Sequence, residues 1–328
     1  MHFLKLIRIQ NLLLIAFTQI VIRYFLIQPI LQSASLDLLF TVSEFSVLVL
    51  STILIAAGGY IINDYFDSGI DAINKPDKLY VGKYYSPKQA LTFHTVFSVL
   101  GIILGLYVGA KVGMYKLAVI QAITVGLLWY YSAEFKRQFL IGNILIALLT
   151  ALVPLLVLIF EMPLFISNFR KTIIDNEETF LLYKQIPLGM MQNINALWTF
   201  VGAFALFAFL LTFIREVVKD MQDVLGDKAF GRRTLPIKLG IKSAKVVASG
   251  FILITLAALA ALIYKQIGVV DYFSSIYTLV FVEVPLSIVL VMLINATSEK
   301  QFARVSLMLK VLMFTGICYC FLFYWLMH

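Results

Sequence analysis

Apolar stretches of about 20 residues return along the whole chain, more than a soluble core could absorb. Nine are read, at roughly 9–31, 43–63, 89–109, 115–132, 140–160, 194–216, 244–264, 272–294 and 303–326. In a bilayer each backbone amide must find its partner inside its own element, so the predicted fold class is all-α. The expectation is one polytopic membrane bundle of about nine transmembrane helices over residues 1–328. Charged residues make up 13% of the chain, against about a quarter in soluble domains. The first stretch follows Lys5 and Arg8 as a signal peptide would, but it is long, has no small-residue cleavage site, and is followed by further spans. It is read as a first helix.

Lysine and arginine are distributed unequally. The N-terminus and the flanks after the second, fourth, sixth and eighth spans hold 18 of the 26, and the opposite side holds 6. By the positive-inside bias, the N-terminus and the two longest motif-bearing loops lie in the cytoplasm, in a multi-pass protein of the cell membrane. Segment 161–193 then falls outside as an extra-cytoplasmic insertion of mixed charge. The net charge of +8 reflects loop placement, and no nucleic-acid partner is expected. Cys318 and Cys320 point in different directions on one helix, and His2, His94 and His328 are scattered, so neither a disulfide nor a histidine-based zinc site is expected. Gly101, Gly105, Gly109 and Gly113 recur every fourth residue, the spacing of a close helix contact.

Two acidic clusters carry the chemistry. The second span ends in GGYIINDYFDSGIDAINKPDK, where Asn63, Asp67 and Asp71 share one helical face and Asp64 sits at its edge. The sixth ends in REVVKDMQDVLGDKAFGRRTLP, where Asp220, Asp223 and Asp227 share a face. Carboxylates stacked in this way repel, so basic residues or a divalent metal must compensate. An all-oxygen donor set without His or Cys suits Mg²⁺, with Mn²⁺ possible in its place; Mg²⁺ takes one or two carboxylates and leaves room for phosphate oxygens. Four crossings separate the clusters, so both face one side, as an internal duplication would place them. Solvated acidic helix ends are the plain alternative.

Basic residues accompany both clusters. Most anchor the cytoplasmic side, but a diphosphate needs several; Lys136 and Lys219 are the first candidates, followed by Lys75 and Arg232. Among polar residues inside spans, Arg23 must face a cavity or snorkel. Asn11 and Asn143 are placed in the bundle interior, and Lys310 is expected to pair with Glu283.

These residues resemble the UbiA superfamily of membrane prenyltransferases, whose members carry NDxxDxxxD after the second helix and DxxDxxxD after the sixth. Here the motifs run from Asn63 through Asp64 and Asp67 to Asp71, and from Asp220 through Asp223 to Asp227. Tyr131, Ser132 and Lys136 match a YSxxxK stretch, and Gly142, Asn143, Gly231, Thr234, Leu235, Pro236 and Gly240 match further positions. REVVKDMQDVLGD and DAINKP look most like the geranylgeranylglyceryl phosphate-prenylating branch, with chlorophyll-synthase-like enzymes also close. The chain departs from the usual NKPxRPIPSG after Asn74, and from the family in the insertion after its fifth span.

The resemblance implies Mg-dependent transfer of a polyprenyl group, geranylgeranyl above all, from its diphosphate to a lipid-soluble acceptor such as geranylgeranylglyceryl phosphate. It implies metal ligands Asn63, Asp67, Asp71, Asp220, Asp223 and Asp227, with Lys136 and Tyr131 acting on the leaving group and the allylic cation. Asn11, Arg23, Asp64, Lys75, Lys136, Lys219 and Arg232 are the candidate substrate contacts. The alternative is an aromatic acceptor in quinone or pigment synthesis. A transporter of an anionic lipid or metabolite is remote, because its charges belong at the bilayer midplane and its repeats are inverted.

Overall fold

The computed structural model describes residues 2–74, 79–174 and 186–328. Its architecture is helical throughout, with nine long helices among the described residues. They are α1 (Ile9–Gln32), α2 (Val42–Asn74), α3 (Pro87–Lys111), α4 (Ala118–Ala133), α5 (Ile141–Ile174), α6 (Ile186–Gln222), α7 (Leu235–Gly268), α8 (Tyr272–Asn295) and α9 (Glu299–Met327). Eight are long and apolar enough to cross a membrane. The exception is α4, the expected fourth span. Its 16 residues give a rise of only about 24 Å, and the 3₁₀ turn Tyr115–Leu117 extends it. The chain is an integral, multi-pass membrane protein.

α2 packs chiefly on α3 and α4, while α6 packs on α5, α7 and α9. The apolar core crosses this division, because its first cluster links α2 to α5 and α6. One buried cluster joins Leu26, Phe40, Leu48, Phe160 and Val201; another joins Ile214, Ala248, Leu286 and Leu309. Of the four spaced glycines, Gly101 sits in the helix contact: a Cβ there would stand 2.5 Å from Ile55 Cγ1. Gly113 acts differently. Its φ of +75° ends α3, with the Met114 amide donating to Gly109 O at 2.8 Å and the Gly113 amide to Ala110 O at 3.1 Å, a left-handed helix stop.

α5 does not end at the expected boundary near residue 160 but runs on to Ile174 through Pro154 and Pro163, and α6 starts at Ile186, before residue 194. Residues 175–185 lie outside the described residues. This continuation positions Glu161, which is fully buried and accepts hydrogen bonds at Oε1 from the amides of Leu39 and Phe40, at 2.7 and 2.9 Å. Arg23 lies opposite, on a π-helical turn of α1 (Ile22–Ile27), with 1% exposure. It donates to Phe40 O, and its guanidinium carbon stands 4.4 Å from the centre of the Phe45 ring. Arg23 therefore neither snorkels nor lines the substrate-sized cavity described below; with Glu161 it clamps the turn between α1 and α2. The expected Lys310–Glu283 pair does not form either. Lys310 faces inward and donates to Asn11 Oδ1 at 2.7 Å, while Glu283 sits on a π-helical turn of α8.

Candidate active site

The two acidic helix ends meet. α2 carries Asn63, Asp64, Asp67 and Asp71 on an unbroken helix, with Asn63 Nδ2 donating to Asp67 Oδ2 at 2.8 Å. The second cluster is not one continuous face. α6 stops at Gln222, Asp223 takes φ −98° and ψ 11°, and a six-residue helix, Val224–Ala229, begins anew. Gly226, a weak helix former, follows the break. Asp220 thus stays on α6, whereas Asp227, 2% exposed, swings toward α2.

Arg232 closes the gap. Its guanidinium donates through Nη1 to Asp227 Oδ1 at 3.0 Å and through Nη2 to Asp67 Oδ1. Burial opposes the charge on Arg232, but Asp67 and Asp227 more than offset it and hold its pKa above the ordinary value. Burial also raises the Asp227 carboxyl, and Arg232 and Lys136 only partly counter it. Lys136 reaches the same centre from the other side, donating to Asn63 Oδ1 at 3.1 Å and to Asp67 Oδ2. It is presented by a 3₁₀ turn, Phe135–Arg137, laid against the start of α5. The close approach requires glycine at 142, since a Cβ there would stand 2.9 Å from Phe135 O and 3.0 Å from Lys136 Cα. The Arg233 amide donates to Arg137 O at 2.9 Å, tying the loop after the second cluster to this turn.

These groups form the polar end of a cavity of about 820 Å³. Of the residues singled out from the sequence, Asn11, Asn63, Asp64, Asp67, Asp71, Tyr131, Lys136, Asn143, Lys219, Asp220, Asp223, Asp227 and Arg232 all line it. Arg23 does not, and Lys75 lies outside the described residues. Lys219 is held by Glu216, and Asp220 accepts from Asn143 Nδ2 at 2.9 Å. Away from the charges the wall turns apolar, with Leu14, Ile55, Leu128, Ile146, Leu149 and Leu156.

Three lining residues escaped the sequence reading. Arg8 pairs with Asp64 at 2.7 Å across 56 positions, a link with no local signal. Glu216 was legible, because it extends the spacing of Asp220, Asp223 and Asp227 back by one turn. Arg215 meets Glu216 at 3.3 Å.

The carboxylates and the Asn63 amide oxygen are hard oxygen donors that line one cavity, a donor chemistry that fits a divalent ion bound partly through phosphate. Among the described residues no three acidic, His or Cys side chains are already gathered into a cage, and Lys136 and Arg232 take up the charge of Asp67.

Comparison with known proteins agrees with this geometry. A model described as the UbiA prenyltransferase family matches residues 32–315. A digeranylgeranylglyceryl phosphate synthase of Methanothermobacter thermautotrophicus is 31% identical over 82% of this chain and 81% of its own length. A solved structure from work on digeranylgeranylglyceryl phosphate synthase in membranes superposes with TM-score 0.60, at 21% identity and 98% coverage of both chains. A UbiA homologue from Archaeoglobus fulgidus bound to DMAPP and Mg²⁺ superposes with TM-score 0.53, at 15% identity, over 97% of this chain and 98% of its own. At these identities the superpositions establish the fold.

Proposed function

The chain belongs to the UbiA prenyltransferase family and is a membrane prenyltransferase; we propose that it transfers a geranylgeranyl group from its diphosphate to the free hydroxyl of a geranylgeranylglyceryl phosphate, with Mg²⁺. The carrying observation is the Arg232 bridge between Asp67 and Asp227, which joins the two acidic helix ends at the mouth of a cavity with an apolar remainder. Asn63, Asp67, Asp71, Asp223 and Asp227, with Asp220 close by, would hold the ions. A bound divalent ion would supply Lewis-acid neutralisation of the departing pyrophosphate. Mn²⁺ is proposed as a substitute.

Lys136 pairs with Asp67, and its ammonium would lie where negative charge grows as the leaving group departs. Arg232 would exchange carboxylate for phosphate contacts as the donor enters, and Lys219 and Lys75 are kept as further phosphate contacts. Tyr131 is buried beside Lys136, with Lys136 Nζ 6.0 Å from the ring centre; its π face would shield a cationic C1 of the prenyl chain. The apolar wall would take the prenyl tail. Residues 1–328 act as one domain. By the positive-inside bias, the acidic helix ends face the cytoplasm, segment 161–193 faces the other side, and the membrane is the cell membrane.

The test is incubation of the purified full chain with labelled geranylgeranyl diphosphate, Mg²⁺ and a panel of acceptors, with product identification by mass spectrometry. An ether-linked product on a prenylglyceryl phosphate is expected. Product on an aromatic ring alone would replace the acceptor assignment, and absence of both product and released pyrophosphate would overturn the donor assignment as well.

A further inference from the structure

The cations of the cavity are unevenly paired, and the shortfall lies on one wall. Arg8 is met by Asp64 at 2.7 Å, and Lys136 and Arg232 both pair with Asp67. On the wall formed by α1, α6 and α9 the matching fails. Glu216 alone serves both Lys219 and Arg215. Arg215 Nε is buried without a hydrogen-bond partner among the described residues. Lys310 meets only the neutral Asn11 amide, at 2.7 Å, and no ion pair of Lys310 occurs among the described residues. The helices that carry Lys310 and Arg215, α9 and α6, pack on each other. Both stand on helices that cross the membrane and both line the cavity. Cations inside a span that lack a full ionic partner are costly unless they face a ligand or water, and a dianionic ligand between them would supply that partner.

We infer that Lys310 and Arg215, with Asn11, form a second anion subsite in the cavity that holds the phosphate of the acceptor. The inference rests on the reading of the acceptor as a glyceryl phosphate. Arg215 precedes Asp220 by five residues, about 7.5 Å along a helix axis, so this subsite lies farther from the end of α6 than the acids yet opens into the same cavity. That separation leaves room for a glycerol backbone between the acceptor phosphate and the diphosphate. Lys310 and Arg215 would act as positioning and specificity residues, orienting the acceptor hydroxyl without touching the reacting carbon.

Steady-state kinetics on the purified full chain test this, with acceptor and donor varied separately for wild type, Lys310→Met, Lys310→Arg and Arg215→Gln. Removing one charge-assisted contact should raise the acceptor KM by roughly ten- to a hundredfold while the donor KM moves less than twofold, and Lys310→Arg should recover most of the loss. The preference of wild type for a prenylglyceryl phosphate over its dephosphorylated alcohol should shrink by a similar factor in Lys310→Met. An unchanged acceptor KM in both Lys310→Met and Arg215→Gln, or a parallel rise in donor KM, would remove the subsite while leaving the glyceryl phosphate reading intact. If wild type prenylates only uncharged or ring acceptors, that reading falls and the subsite falls with it. Should Lys310→Met fail to elute as folded protein, Lys310→Arg and Arg215→Gln decide the outcome by the same criteria.

Discussion

Two buried charge networks stand in this molecule, and they are built for opposite ends. At the cavity mouth Asp67, Asp227, Lys136 and Arg232 satisfy one another side chain to side chain, so each can change partner when a ligand arrives. At the turn between α1 and α2, Arg23 and Glu161 bind mainly to backbone: Glu161 takes the amides of Leu39 and Phe40, and Arg23 the carbonyl of Phe40. A backbone partner has nowhere else to go. The same residue types therefore serve chemistry in one place and fixation in the other, and only the identity of the partners separates the two.

Substitutions can break or sharpen that contrast. The largest effect belongs to Asp67→Ala and Asp223→Ala, each expected to cut turnover by about 10³-fold or more in a pyrophosphate-release assay, because fixed charge at the leaving group dominates such sites. The eluted protein should remain monodisperse; near-normal turnover of either variant would dissolve the proposed roles. Chelation of divalent ions with EDTA should act on a similar scale and reverse when Mg²⁺ is restored. Next comes Arg232→Gln, which leaves Asp67 and Asp227 without their bridge. Loss of one partner of a buried pair costs about 3–5 kcal/mol, so a lower melting midpoint is expected, partly restored by Mg²⁺ with prenyl diphosphate. If the midpoint is unmoved, the bridge is not what joins the two helix ends.

Gly142→Ala should act more gently, lowering turnover roughly tenfold by pushing the Lys136 turn off α5, since a 1 Å misplacement can already cost up to about 100-fold. Gly126→Ala, where a Cβ meets nothing within 4 Å, is the matched control and should be silent. The smallest effect on turnover belongs to Glu161→Gln, which should lower the melting midpoint while kcat stays within twofold. A large loss of kcat there would mean that the two networks are coupled.

The sequence made the spans legible because lipid imposes length and apolarity on each one, and it made Asn63, Asp67 and Asp71 legible because their helix is unbroken. It was less informative where the chain departs from regular periodicity. Asp223 ends a helix, so the one-face reading of Asp220, Asp223 and Asp227 failed even though all three acids line the cavity. Arg23 was read as a cavity or interface residue because an arginine inside a span looks the same whether it meets a substrate or a carbonyl 17 positions away. Arg8–Asp64 and Lys310–Asn11 join residues 56 and 299 positions apart, contacts that only the closed bundle creates. Glu216 was available from spacing alone, since it continues the acidic series by one turn.

The contact between Asn11 and Lys310 has a consequence for biogenesis. Of the nine described helices, the earliest made and the latest made are bound to each other, and α9 brings Ala303, Ser306, Leu307, Lys310 and Met313 to the cavity. During synthesis the cavity therefore stays open on that side until α9 is inserted, after both acidic motifs have already been made. A nascent chain stalled before α9 would carry both acidic motifs without that wall, so the order of insertion delays closure of the cavity until α9 arrives.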